Sequence, residues 1–273
     1  MPFALIGFFI PASALIHLII YYSENVMPCF PEDNNDYRRI ISFDWNSPDS
    51  FESLFIRLGL VVFCMVFARS AAMAFNRYLD RKFDAKNPRT AVREIPKGII
   101  TPKNALTFTI VSSLLFVVCT FFINRLCFYL SPVVLAVILG YSYTKRFTPL
   151  CHLVLGLGLS LAPIGAYLAV TGVFALLPIL FSLAVLFWVS GFDIIYALQD
   201  EEFDRSQNLY SIPAWMGKAK ALRVSELLHL LSAGAIIYAG IYGAFGWLYW
   251  VGVAVFTGML LYQHSIVKPN DLK

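Results

Sequence analysis

Residues Ala68–Lys103 read ARSAAMAFNRYLDRKFDAKNPRTAVREIPKGIITPK. An apolar run of membrane length leads into this stretch, and within it Asn76, Asp80 and Asp84 fall at successive four-residue steps. On a helix that spacing stacks three oxygen-bearing side chains on one face. A second acidic stretch, DIIYALQDEEFD (Asp193–Asp204), closes another apolar run and sets Asp200 and Asp204 four residues apart. The two carboxylate ladders, each at the end of an apolar helix, are the feature any reading of the chain must explain.

Hydrophobic residues make up 59% of the 273 positions and charged residues 14%, well below the roughly one quarter charged in a soluble domain. Apolar runs of about 20 residues match the thickness of a bilayer core, about 30 Å at 1.5 Å per helical residue. They occur at 3–22, 52–76, 104–123, 127–144, 148–170, 174–197, 221–243 and 247–266. The fold class expected is an all-α polytopic membrane protein with eight visible spans in a single domain, 1–273, lying in the lipid bilayer.

The first run begins almost at Met1 without a basic leader region, so it reads as a span rather than a signal peptide. Residues 23–50 read as a polar loop and 77–103 as a basic connection. Pro132 and Pro163 fall inside spans and are expected to kink them. Gly156, Gly158 and Gly165 suggest close helix packing. The five cysteines (Cys29, Cys64, Cys119, Cys127, Cys151) show no CxxC pairing and read as small core residues. His17, His152, His229 and His264 are scattered along the chain.

Charge distribution orients the spans. All but five of the 21 Lys and Arg residues (Arg38, Arg39, Arg57, Arg69 and Arg125) lie in the loops after spans two, four and six or in the C-terminal tail. Basic loops stay on the cytoplasmic side. Both ladders therefore belong to the cytoplasmic face.

Paired carboxylates hold hard divalent cations, and Mg²⁺ commonly takes one or two protein carboxylates together with substrate phosphate oxygens. The neighbouring Arg81, Lys82, Lys145 and Arg146 would neutralise the remaining phosphate charge. Acids and bases on one membrane face thus suit a Mg²⁺–diphosphate complex, with a lipid diphosphate placing its tail among the spans. One such ladder alone is commonly a solvated helix end; two on the same side are not easily explained that way. Asp193 lies about two turns inside the membrane from Asp200, where a carboxylate is costly and usually functional. Arg69 lies about two turns before Asn76 on the same face, placed to pair with a substrate carboxylate or, structurally, with Asp193. Most of the 24 Phe, 14 Tyr and 5 Trp read as lipid-facing; Tyr141 and Tyr196 are placed to line a pocket and stabilise an allylic cation.

At these residues the chain resembles the UbiA-type intramembrane prenyltransferases. The first family motif, NxxxDxxxD, is matched by Asn76, Asp80 and Asp84, followed by the basic DAKNPRTAVREIPKG. The second is matched by GFDIIYALQDEEFD, and a tyrosine–lysine element by YSYTKRFTP with Tyr141 and Lys145. The form NRxxDRxxDAKNPRTA is similar to the 4-hydroxybenzoate polyprenyltransferase-like branch, part of which is associated with menaquinone. The resemblance implies a helical bundle of nine spans around a central cavity. It also implies transfer of a polyprenyl group from its diphosphate to an aromatic ring carbon in ubiquinone or menaquinone biosynthesis. In that reading Asp80, Asp84, Asp200 and Asp204 hold Mg²⁺, and Asn76, Lys82, Lys145 and Arg146 bind diphosphate. Asp193, Arg69 and Tyr141 act on the cation and the acceptor. The partners implied are a polyprenyl diphosphate and a small aromatic acceptor in the bacterial inner membrane; no nucleic-acid partner is expected.

Family members carry a longer segment before the first span and a ninth span after KPNDLK, so the sequence reads as truncated at both ends or as a reduced variant. Two alternatives stand beside this reading. An ion-coupled transporter would place its charged site near the midplane rather than at the helix ends. A sibling prenyltransferase would act on a haem, chlorophyll or lipid acceptor.

Overall fold

The computed structural model describes residues 48–268, with side chains from Ile56 onward. The chain divides into two units, Met1–Leu54 and Phe55–Lys273, and the site described below lies in the second. The expected span 3–22 and Cys29 lie outside the described residues.

Among the described residues the structure is helical: α1 (Pro48–Asp84), α2 (Pro102–Ile123), α3 (Arg125–Thr144), α4 (Cys151–Thr171), α5 (Leu176–Ala197), a 3₁₀ turn (Leu198–Asp200), α6 (Glu201–Ser206), α7 (Ile212–Met216), α8 (Lys218–Tyr242) and α9 (Trp247–Ile266). Six helical stretches are long and apolar enough to cross a membrane, and the chain is an integral multi-pass membrane protein. Helix α9 is not among the six, because its Trp and Tyr residues and Gln263 and His264 dilute its apolar run. The outer surface carries exposed Leu114, Val118, Phe121 and Phe122 on α2 and Leu227, Leu230 and Ile241 on α8. In water such an apolar surface would drive association; in lipid it is the matching solvent.

Helix α1 differs from its expected bounds in a way that matters for the site. It does not stop at Asn76 but continues to Asp84, so residues 77–84 of the basic connection are helical. No Gly or Pro interrupts the stretch before Pro88, and the residue ahead of a proline disfavours helical backbone. The apolar part ends near Phe75, so the last two turns project beyond the hydrocarbon and carry the ladder with them.

Helix ends follow local chemistry. The Thr101 hydroxyl accepts from Asn104 N with Pro102 in the first turn of α2. Asn124 caps α3 by accepting from Cys127 N at 2.8 Å, while its amide donates to the Leu168 carbonyl at 2.8 Å. Gly172 closes α4 at φ 71°, a left-handed conformation that glycine adopts without steric penalty. Helices α3 and α4 run through Pro132 and Pro163. Proline 132 cannot donate to the Phe128 carbonyl, and the Ser131 hydroxyl does so instead at 2.8 Å.

Helix α5 is the centre of the bundle, packed on α4 at one side and α8 at the other. A Cβ on Gly156 of α4 would collide with the Ser190 hydroxyl and the Leu186 carbonyl of α5, so this glycine sets the α4–α5 approach. Gly158 has only ordinary contact with Ile138, and Gly165 faces open space. On the other side Ser225 Oγ donates to the Gly191 carbonyl at 2.7 Å and Ser232 Oγ to the Ala184 carbonyl at 2.8 Å. Small residues and interhelical hydroxyl bonds are the usual means of association where the hydrophobic effect is absent. Cys64, Cys119, Cys127 and Cys151 are free thiols, the first three packed in the cluster of Phe116, Ile123 and Ala169.

Candidate active site

Helix α1, the end of α3, the 85–101 connection and the end of α5 with α6 bring four aspartates and four cations together in pairs. On α1, Asn76 Nδ2 donates to Asp80 Oδ2 at 3.2 Å and to Ser142 Oγ at 3.4 Å. The helical ladder expected over Asn76, Asp80 and Asp84 is thus realised. Arg146 Nη2 reaches Asp80 Oδ1 at 3.4 Å and the Leu79 carbonyl at 3.1 Å. Arg93 Nη1 donates to Asp84 Oδ1 at 2.7 Å.

On the second ladder Arg89 grips Asp200 with two nitrogens. Its Nε donates to Oδ1 at 2.9 Å, its Nη2 to Oδ2, and Asn87 Nδ2 adds a bond to Oδ1 at 3.1 Å. The Nη1 of the same guanidinium donates to the Tyr196 hydroxyl at 2.8 Å. The Asp200 carboxylate holds the Arg89 guanidinium above its already high ordinary range. Asp204 is fully buried, and Lys145 Nζ lies 2.7 Å from its Oδ1. That contact is an ion pair, and Asp204 Oδ2 has no hydrogen-bond partner. Asp84 Oδ2 is likewise buried and unpartnered.

The pairing has a crossed pattern. Each ladder takes one cation from the 85–101 connection (Arg93 or Arg89) and one from the end of α3 (Arg146 or Lys145). Segments far apart in sequence are tied at one end of the bundle, and every carboxylate has its charge opposed. Because partly exposed ion pairs contribute little stability and buried carboxylates without hydrogen bonds are costly, the arrangement is better suited to binding than to holding the fold.

Deeper in the bundle, Tyr141 lies within electrostatic reach of Asp193, Asp80 and Arg69. Asp193 Oδ2 is 2.6 Å from His152 Nδ1. Lys82 lies elsewhere. It is on the opposite face of α1 from the ladder and lines an open cavity of about 460 Å³ with Tyr78, Arg81, Lys86, Tyr143 and Arg146. The structure therefore sets Asp80, Asp84, Asp200 and Asp204 in separate pairs with Arg146, Arg93, Arg89 and Lys145, with Asn76 on Asp80, whereas Lys82 stands beside Arg146 on the cavity and against no aspartate.

Residues 45–273 match the UbiA prenyltransferase family. The chain belongs to that family. It is 31% identical over 229 residues to the 4-hydroxybenzoate octaprenyltransferase of Aeromonas salmonicida, covering 82% of this chain and 75% of that one. It is 32% identical over 209 residues to the enzyme of the same name from Tolumonas auensis, covering 74% and 71%. Among solved structures, the apo UbiA homologue of Aeropyrum pernix superposes with a TM-score of 0.74 at 32% identity, covering 77% of this chain and 80% of that one. A UbiA homologue from Archaeoglobus fulgidus bound to DMAPP and Mg²⁺ shares the fold with a TM-score of 0.66 at 20% identity, covering 79% of each chain.

Within the UbiA frame, sequence reasoning picked out the acids of both ladders but not all their partners. In the sequence Asn87, Arg89 and Arg93 are simply part of a basic connection, and His152 is one scattered histidine. A signal for the arginines was available in their number beside the first ladder. Nothing local assigned Arg89 to an aspartate 111 residues away. For His152 the signal was weaker, a polar ring at the start of an apolar span.

The donor set fits Mg²⁺. Its oxygens are hard carboxylates, and two of them, Asp84 Oδ2 and Asp204 Oδ2, are buried without a hydrogen bond. Among the described residues no three His, Cys, Asp or Glu groups converge as a protein cage. Mg²⁺ keeps waters and shares its shell with substrate phosphates, so such a cage is not required.

Proposed function

We propose that the protein, acting as one domain over 1–273, transfers a polyprenyl group from polyprenyl diphosphate to an aromatic ring carbon. The acceptor is 4-hydroxybenzoate or a related carboxylated aromatic in ubiquinone or menaquinone biosynthesis. The reaction takes place at the cytoplasmic face of a bacterial inner membrane. The observation that carries this reading is the crossed pairing of four aspartates with four cations, two of the aspartates holding unpartnered buried oxygens. The naming of relatives as 4-hydroxybenzoate octaprenyltransferases supports the choice of acceptor.

Asp80, Asp84, Asp200 and Asp204 would hold Mg²⁺, which supplies positive charge to the diphosphate as it leaves. Arg89, Arg93, Lys145 and Arg146, paired with those aspartates in the structure, are positioned to turn their donors to the phosphate oxygens, and Asn76 adds an amide donor. Lys82 would add charge from the rim rather than by contact. The allylic C–O bond breaks with its electron pair leaving on the diphosphate. The ring carbon ortho to the phenol then bonds to the allylic carbon and loses its proton. Tyr141 and Asp193 face the cation, the first by its ring and the second by its charge. Arg69 binds the acceptor carboxylate and sets which ring carbon is presented.

The test is transfer by isolated membranes given polyprenyl diphosphate and 4-hydroxybenzoate, with Mg²⁺ or with EDTA. The expected result is a C-prenylated product that requires Mg²⁺. Product formed equally well in EDTA, or cation-coupled uptake with no release of diphosphate, would overturn the reading. Turnover with a different aromatic and none with 4-hydroxybenzoate would correct the acceptor alone.

A further inference from the structure

Asp193 is the acid that neither ladder nor loop arginine reaches in the pairs above; its partner at 2.6 Å is a histidine from the first turn of α4. His152 is buried, 2% exposed, and both its ring nitrogens are engaged. Nδ1 faces Asp193 Oδ2, and Nε2 faces the backbone N–H of Ile212 at 3.3 Å. An amide N–H can only donate, so Nε2 must carry the lone pair and the ring proton must sit on Nδ1. A doubly protonated ring would set two N–H groups against each other at Ile212. The Ile212 contact thus calls for a proton on Nδ1, aimed at the carboxylate.

The Ile212 contact does not stand alone. Tyr210 N donates to the Lys145 carbonyl at 2.7 Å, and Cys151 Sγ lies 3.6 Å from the Tyr210 carbonyl. Residues 210–212 form a strap across the ends of α3 and α4, running from the pair partner of Asp204 to the ring that holds Asp193. Asp193 itself is about a third exposed and lies within electrostatic reach of Tyr141. A carboxylate at that depth would otherwise choose among rotamers, and a single short bond from a fixed donor removes the choice.

We propose that His152 is a positioning residue for the transfer reaction: its Nδ1–H fixes the Asp193 carboxylate toward the reacting groups, while the Ile212 N–H fixes its tautomer. The proposal rests on the role given to Asp193 above. The arrangement resembles in logic any base–orienter pair in which a third group sets the tautomer of the ring.

Three variants and one spectroscopic measurement test it. Asp193→Asn is made first; loss of turnover upholds the role of Asp193, and near-normal turnover overturns that role and with it the proposal. His152→Leu, which offers neither donor nor acceptor, is expected to lower kcat roughly 10- to 100-fold, the loss typical of orienting partners, with donor KM within about twofold. His152→Gln offers one donor and one acceptor and is expected to recover most of that loss. Equal rates for Leu and Gln would leave His152 a structural anchor and overturn the positioning role. The measurement independent of activity is the ¹⁵N spectrum of histidine-labelled protein in detergent. The expected signal for His152 is a protonated Nδ1 and an unprotonated Nε2, with the Nδ1 resonance moved by Asp193→Asn. A protonated Nε2, or no response to Asp193→Asn, would overturn the proposal even in a fully active enzyme.

Discussion

The two acidic ladders share a spacing and differ in how the chain builds them. The first stays on one uninterrupted helix, α1, and its Asp80 side chain is 26% exposed. The second is broken. Helix α5 ends at Ala197, a 3₁₀ turn carries Asp200, and α6 follows directly with Asp204 fully buried. No Gly or Pro marks that break. What lies across from it is Arg89, gripping Asp200 with two nitrogens, and Lys145 against Asp204. Each ladder also has an inner charge seven residues before its first outer polar group, and the signs are opposite: Arg69 on α1 and Asp193 on α5. The same four-residue repeat thus leaves Asp80 accessible beside a buried Asp84 in one ladder and closes Asp204 off completely in the other.

If the ladders are equal in chemistry, Asp80→Ala and Asp200→Ala should each lower turnover by roughly 10³-fold or more, the scale of losing a main electrostatic stabiliser, with protein recovered folded by gel filtration. Near-normal rates for either would leave one ladder alone at the chemistry.

The ladders should part company in stability. Asp204→Ala removes a fully buried carboxylate that opposes the partly exposed Lys145 and is expected to cost about 1–3 kcal/mol. Asp80→Ala opens a partly exposed pair worth about 1 kcal/mol or less. Thermal unfolding in detergent reads the difference, and equal melting shifts would erase the contrast between Asp80 and Asp204.

The inner charges offer a finer division. Arg69→Ala should raise the acceptor KM by about tenfold or more, the value of a charge-assisted hydrogen bond, while donor KM stays nearly constant. Equal changes in both constants would return Arg69 to a structural ion-pair role. A packing effect is expected at the α4–α5 contact. Gly156→Ala must push α5, and with it the second ladder, away from α4 at a cost of about 1–3 kcal/mol. Gly165→Ala, facing open space, serves as the neutral control; identical stabilities for the two variants would show that α5 is not set by that glycine.

What could be read from the chain alone was what local rules govern. Apolar runs of bilayer length gave the class and six of the spans, because each residue's transfer energy is nearly independent of its partners. The repeats at Asn76–Asp84 and Asp200–Asp204 placed oxygens on one face, because helix geometry fixes the i to i+4 relation. The motifs NxxxDxxxD and DxxxD, quoted in order, led to the family that the comparisons confirm. The continuation of α1 to Asp84 is less legible, because a run of charged residues resembles a loop in composition although nothing in it stops a helix.

The tertiary structure decided the rest. Arg146 against Asp80, Lys145 against Asp204, Arg89 and Asn87 against Asp200, and His152 against Asp193 all join segments 41 to 113 residues apart, whereas the Arg93–Asp84 pair, 9 residues apart, is local. Such pairs depend on how α3, α4 and α5 pack, and that packing is set by small contacts such as Gly156 against Leu186, which periodicity does not encode. A charge in a sequence announces that it needs a partner; only the packed bundle says where the partner stands.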